Sequence, residues 1–75
     1  MKLVNRDMTR ETVTVYVTRN QIFAKIWSKN THGKWEVSSY FQSYDWEPDE
    51  ELVEVTIRYI KRTWDLVNPK VIVSK

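Results

Sequence analysis

The densest set of groups able to do chemistry is the run Glu47-Pro48-Asp49-Glu50-Glu51, part of a block that also holds Asp45 and Glu54. Paired carboxylates can divide into a general acid and a general base when burial or a neighbouring charge drives their pKa values apart. Sequence neighbours at a helix start stay solvated, so this run does not set up that division. A metal site would need acids converging from separate elements. His32 is the only histidine and there is no cysteine, which excludes thiolate and imidazole-rich metal centres and a disulfide framework. Ser38, Ser39 and Ser43 have no base available except His32, which falls in a turn. The expectation is a protein without catalytic residues, metal or cofactor.

Chemistry by recognition is a stronger theme. The chain has 75 residues and a net charge of +2, enough for one domain spanning 1–75 with a modest core, since a chain this short buries only about 60% of its unfolded surface. The charge is too small to imply nucleic acid by itself. No apolar run approaches the ~20 residues of a membrane-crossing helix, and the charged start, "MKLVNRDMTRE", lacks the apolar segment of a signal peptide. A soluble, cytoplasmic protein is expected.

The elements that would position a binding surface follow from periodicity. "TVTVYVT", 12–18, alternates with Val13, Val15 and Val17 on one side, a strand signal. Arg19-Asn20 fits a two-residue hairpin loop. A second strand covers 21–29, "NTHG" turns the chain with its only glycine, and a third strand covers about 34–42. Pro48 followed by acids suits a helix start. Leu52, Val53, Thr56, Ile60, Trp64 and Val67 then fall on one helical stripe, which Asn68-Pro69 stops. "KVIVS", 70–74, is a last strand. The fold class is α+β: a three-stranded antiparallel meander, one amphipathic helix on one face and a fourth strand, β-β-β-α-β. Because "VEVTIRYI" also alternates, a small all-β barrel is the alternative.

Loop lengths set the faces. Two residues at 19–20 and four at 30–33 place Ile22, Ala24, Ile26, Trp35, Val37 and Phe41 toward the core with Val13, Val15 and Val17. The opposite face then carries the row Tyr16-Phe23-Tyr40, with Lys25 and Trp27 beside it and Glu36 next to Trp27. An apolar face of this size marks an interaction site or needs a cover. The covers considered are the N-terminal Leu3, Val4 and Met8, a second copy packed sheet to sheet, and a different macromolecule; a bare aromatic ladder is the fourth reading.

Aromatic rings interleaved with lysines suit single-stranded nucleic acid, although the acid block repels phosphate. Tyr and Trp with a few charges equally suit a protein partner. The expected partner-binding residues are Tyr16, Phe23, Lys25, Trp27 and Tyr40 on the sheet, with Asp45, Glu47, Asp49 and Glu50 as an acidic second site.

The element order is similar to the first half of the ribonuclease-H-like fold, in which acids stand at the end of the first strand, on the helix and at the end of the fourth strand. Here those places hold Thr18-Arg19, Glu50 or Glu51, and Ser74-Lys75. Two of the three acids are absent, so the likeness implies binding rather than cutting, as in antitoxin domains built on similar half-folds. Small size, dense aromatics and segregated charge resemble accessory proteins of phages and mobile elements, many of which bind and block one host protein. The expected function is a non-enzymatic protein-binding module of that kind; a nucleic-acid-binding domain and a homodimeric structural protein are the alternatives.

Overall fold

Alternating β-branched residues make β1 (Thr12–Val17), and the two-residue loop at Arg19-Asn20 returns the chain as β2 (Gln21–Lys29). The computed structural model describes residues 10–75. Val17 pairs with Ile22, Val15 with Ala24 and Val13 with Ile26, and the Thr18 amide donates to the Gln21 carbonyl at 3.0 Å. This first register is the expected one. The expected cover by Leu3, Val4 and Met8 lies outside the described residues.

The second hairpin differs from expectation by one residue. β3 (Trp35–Ser43) pairs with β2 so that Ala24 faces Tyr40, Ile26 faces Ser38 and Phe23 faces Phe41. The cause is local. Asn30 and Lys34 form the last pair, with the Asn30 amide on the Lys34 carbonyl at 2.8 Å. Only Thr31, His32 and Gly33 are left in the loop. Asn30 Oδ1 accepts from the His32 amide at 2.8 Å and the Lys34 amide at 3.0 Å. Gly33 takes φ 77°, the left-handed position of a three-residue hairpin loop. A loop one residue shorter than expected moves every β3 side chain to the other face. Trp35, Val37 and Phe41 therefore leave the core side, and Tyr40 joins it.

Helix α1 (Glu50–Thr63) crosses the inner face. Asp49 caps its start by accepting from the Leu52 amide at 2.8 Å, and Glu50 and Glu51 occupy the positive end of the dipole. The helix ends sooner than the apolar stripe suggests. Asp65 adopts φ 56°, the Leu66 amide donates back to the Lys61 carbonyl at 2.8 Å and the Asp65 amide to the Arg62 carbonyl at 3.3 Å. This is the Schellman termination, with aspartate where glycine is usual. It turns Leu66 into the core and leaves Val67 outside.

β4 (Lys70–Ser74) runs parallel to β1, giving the sheet order β3-β2-β1-β4. The sheet is open, not a barrel. Glu11 fixes the return: its carbonyl accepts from the Lys70 amide at 2.8 Å and its Oε1 from the Val67 amide at 3.1 Å. The core lies between sheet and helix. Val13, Val15, Ile22, Ala24 and Ile26 meet Val53, Ile60 and Leu66 there. Thr56, buried mid-helix, satisfies its hydroxyl on the Leu52 carbonyl at 2.8 Å.

Candidate functional site

The outer face of the sheet is read from the registers. Ser74, Tyr16, Phe23 and Phe41 form one row across the four strands. Ile72, Thr14, Lys25 and Ser39 form the next, and Lys70, Thr12, Trp27 and Val37 the third. Trp35 and Lys29 lie beyond, next to the turn.

Within this face the rings are ordered. Tyr16 and Phe23 are tilted at a centroid distance of 5.9 Å. Trp27 and Trp35 stack at 5.5 Å and 11°, with Lys29 Nζ 5.6 Å from the Trp35 ring centre. These contacts hold the two tryptophans half-buried and contribute to the sheet itself. What stays in solvent is mainly Val37, 62% exposed, and Phe41, 54% exposed, with Ile72 and Tyr16 at about 40%.

Of the expected sheet residues, Tyr16, Phe23, Lys25 and Trp27 share this face and Tyr40 does not. Tyr40 is on the helix side, half-buried against the core, with its ring 5.6 Å from Tyr59. Burial raises its phenol pKa above the ordinary 10.0, and the nearby Tyr44 and Tyr59 phenols add to the shift. Glu36 also changes sides. It pairs with buried Ser28, and its carboxylate accepts from Asn30 Nδ2 at 3.3 Å. Among the described residues the outer face thus carries Lys25, Lys29 and Lys70 and no carboxylate. Phe41, Val37, Trp35 and Ile72 are the residues that sequence reasoning missed here. The available signal was Asn30 followed three residues later by glycine.

The acids form a different place. The ends of β1 and β4 and the start of α1 converge on an open cleft of about 710 Å³ lined by Thr18, Arg19, Glu47, Asp49, Glu50 and Lys75. These are the positions where the ribonuclease-H-like likeness puts its acids. Here Arg19 and Lys75 stand with Glu50, and Lys75 Nζ lies 3.9 Å from Glu50 Oε2. Asp49 is committed to capping the helix. Asp45 lies round the corner with Trp46 and Tyr44, against Arg19 and Asn20. The block is shared among a helix cap, an exposed ion pair and a loop, with Arg19 and Lys75 interposed. No group of three or more metal-ligating side chains converges among the described residues. None of their helices is long and apolar enough to cross a membrane.

Comparison with known proteins finds no match: no family model, curated protein or solved structure aligns with the chain.

Proposed function

We propose that this chain is a non-enzymatic protein-binding module that docks through the outer face of its sheet. The observation that supports this most is the second hairpin's register, which places Val37 and Phe41 in solvent beside Tyr16, Phe23 and Ile72. An exposed apolar and aromatic patch edged by charge has the composition of a protein interface. With Lys25 at its middle and no carboxylate among its described residues, the face complements an acidic partner surface with an apolar centre. Size, aromatic density and segregated charge support the narrower reading that binding blocks the partner, as accessory proteins of phages and mobile elements do.

The same register favours a second reading. Removing Glu36 from this side takes away a charge that opposes phosphate, leaving rings and lysines together, the pattern of a single-strand platform. The protein reading is preferred because the two tryptophans stack on each other and much of the exposed area is aliphatic Val37 and Ile72. Affinity capture with wild type and with a Val37→Asp/Phe41→Asp variant tests the choice. A partner retained by wild type and lost by a variant of unchanged circular dichroism supports the interface. Equal retention by both removes it. Binding of labelled single-stranded oligonucleotides at low salt, weakened by Lys25→Glu, would replace it with the nucleic-acid reading.

A further inference from the structure

The free edge of β3 carries an inference that the outer face alone does not. Backbone hydrogen bonding alternates along an antiparallel pair. Because Asn30 and Lys34 are a hydrogen-bonded pair, the bonded pairs continue at Ser28 with Glu36, Ile26 with Ser38 and Ala24 with Tyr40. The amides and carbonyls of Trp35, Val37, Ser39, Phe41 and Ser43 therefore point away from β2, along an edge that no described strand occupies. This edge is nine residues long and contains no proline or lysine; its one charge, Glu36, lies near one end and leaves the centre at Ser39 unguarded.

We propose that β3 pairs antiparallel with β3 of a second copy about a two-fold axis through Ser39, giving a continuous eight-stranded sheet. Three observations select a copy of this chain as the occupant. First, outward-pointing residues can hydrogen-bond only to outward-pointing residues. The one such register that overlaps the whole strand sets Ser39 opposite Ser39, Val37 opposite Phe41 and Trp35 opposite Ser43. Second, that register is self-complementary on both faces. Outside, each Val37 meets a Phe41; inside, Glu36 meets Gln42 and Ser38 meets Tyr40, with no like charges opposed. Shifting by two residues shortens the overlap and sets Val37 against Ser39 or Ser43. Third, the flank of α1 on the β3 side is itself apolar. Tyr59 reaches Tyr40, and Val55 lies one turn before it. Both are about half exposed, and a two-fold axis normal to the sheet brings the two helix flanks toward each other.

Full overlap supplies about ten main-chain hydrogen bonds. Edge pairing buries less than the ~1,200 Å² of a standard interface, so the dimer is weak and is best measured up to about 1 mM. This pairing uses this chain alone but shares Val37 and Phe41 with the face proposed above, so it is tested at Ser39, which leaves those two residues intact.

Sedimentation equilibrium tests it with substitutions at the axis. Ser39 is exposed and faces its own copy, so Ser39→Lys and Ser39→Glu each oppose like charges and should weaken the dimer about two- to fivefold. Ser39→Lys should act more strongly because Lys25 stands in the same row. Mixing the two variants should restore a heterodimer. Ser39→Pro removes both central bonds without touching the β2 ladder, and should also lower association about tenfold or more. Val37, Ser39 and Phe41 amides should gain exchange protection as wild-type concentration rises. A wild type that stays monomeric to about 1 mM overturns the proposal. So does a dimer that all three variants leave unchanged while circular dichroism shows them folded.

Discussion

The second hairpin's register can be tested with two neighbouring aromatic residues. Tyr40 is half-buried against the core and touches Tyr59, whereas Phe41 is 54% exposed on the opposite side. Full burial of a large apolar side chain contributes about 1.5–3 kcal/mol. Less than half of Phe41 is covered, so Phe41→Ala should cost about 1 kcal/mol or less. Tyr40→Ala loses a larger buried fraction together with the pair to Tyr59, itself worth about 0.5–1.5 kcal/mol, for a total near 2 kcal/mol. The difference of about 1 kcal/mol corresponds to about 4–8 °C in the melting temperature of a domain this size. Thermal unfolding followed by far-ultraviolet circular dichroism, at low micromolar protein to keep self-association out, reads it directly. If Phe41→Ala lowers the transition more than Tyr40→Ala, Phe41 belongs to the core side. The three-residue loop, and the outer face built on it, would then be refuted.

Gly33→Ala should destabilise by about 1 kcal/mol through backbone strain alone, since a Cβ there meets nothing within 4 Å while φ stays at 77°; denaturant titration checks it. Asp49→Ala removes the helix cap on the Leu52 amide and should cost about 1 kcal/mol by the same titration, with Asp49→Ser recovering most of it. Alkaline stability should depend on Tyr40. Its folded pKa lies above the ordinary 10.0, so above that pH the unfolded chain binds fewer protons and stability falls until the folded phenol also ionises. Denaturant midpoints measured from pH 9 upward should fall less steeply in Tyr40→Phe.

Much of this fold was legible because local signals agreed with one another. The valines of β1 alternate with threonine and tyrosine and so share one side, and Arg19-Asn20 permits a tight loop that keeps them paired with Ile22, Ala24 and Ile26. The helix start was marked by Pro48 and the acids after it. The second register was harder to read. Three- and four-residue loops ending in Gly33 are both sterically acceptable, and each buries aromatic residues of β3. The decision rests on two bonds to Asn30 Oδ1, which periodicity does not encode. Because the strand period is two, that small choice exchanged Tyr40 for Phe41 in the candidate site and removed Glu36 from it. The helix end has a similar cause: Trp64 and Val67 extend the apolar stripe, but Asp65 in the left-handed conformation stops the helix first. The acid block was visible as a cluster in sequence. Its division among a cap, an ion pair and a loop came from the fold's convergence on Arg19 and Lys75.

The parallel pairing of β4 with β1 also imposes an order in time. Strands β1, β2 and β3 are joined by short loops and can zip as they leave the ribosome, but Val13 waits for Val71 and Val15 for Val73. Closing contacts that distant along the chain is slow relative to hairpin formation. Until it happens, β1 is an open edge and the valine side of the sheet is wet. The nascent meander therefore presents, for an interval, the edge of β1 where the native sheet presents that of the shorter β4, while the β3 edge is common to both. The docking of β4 is therefore the step that both covers that edge and completes the sheet on which the helix packs.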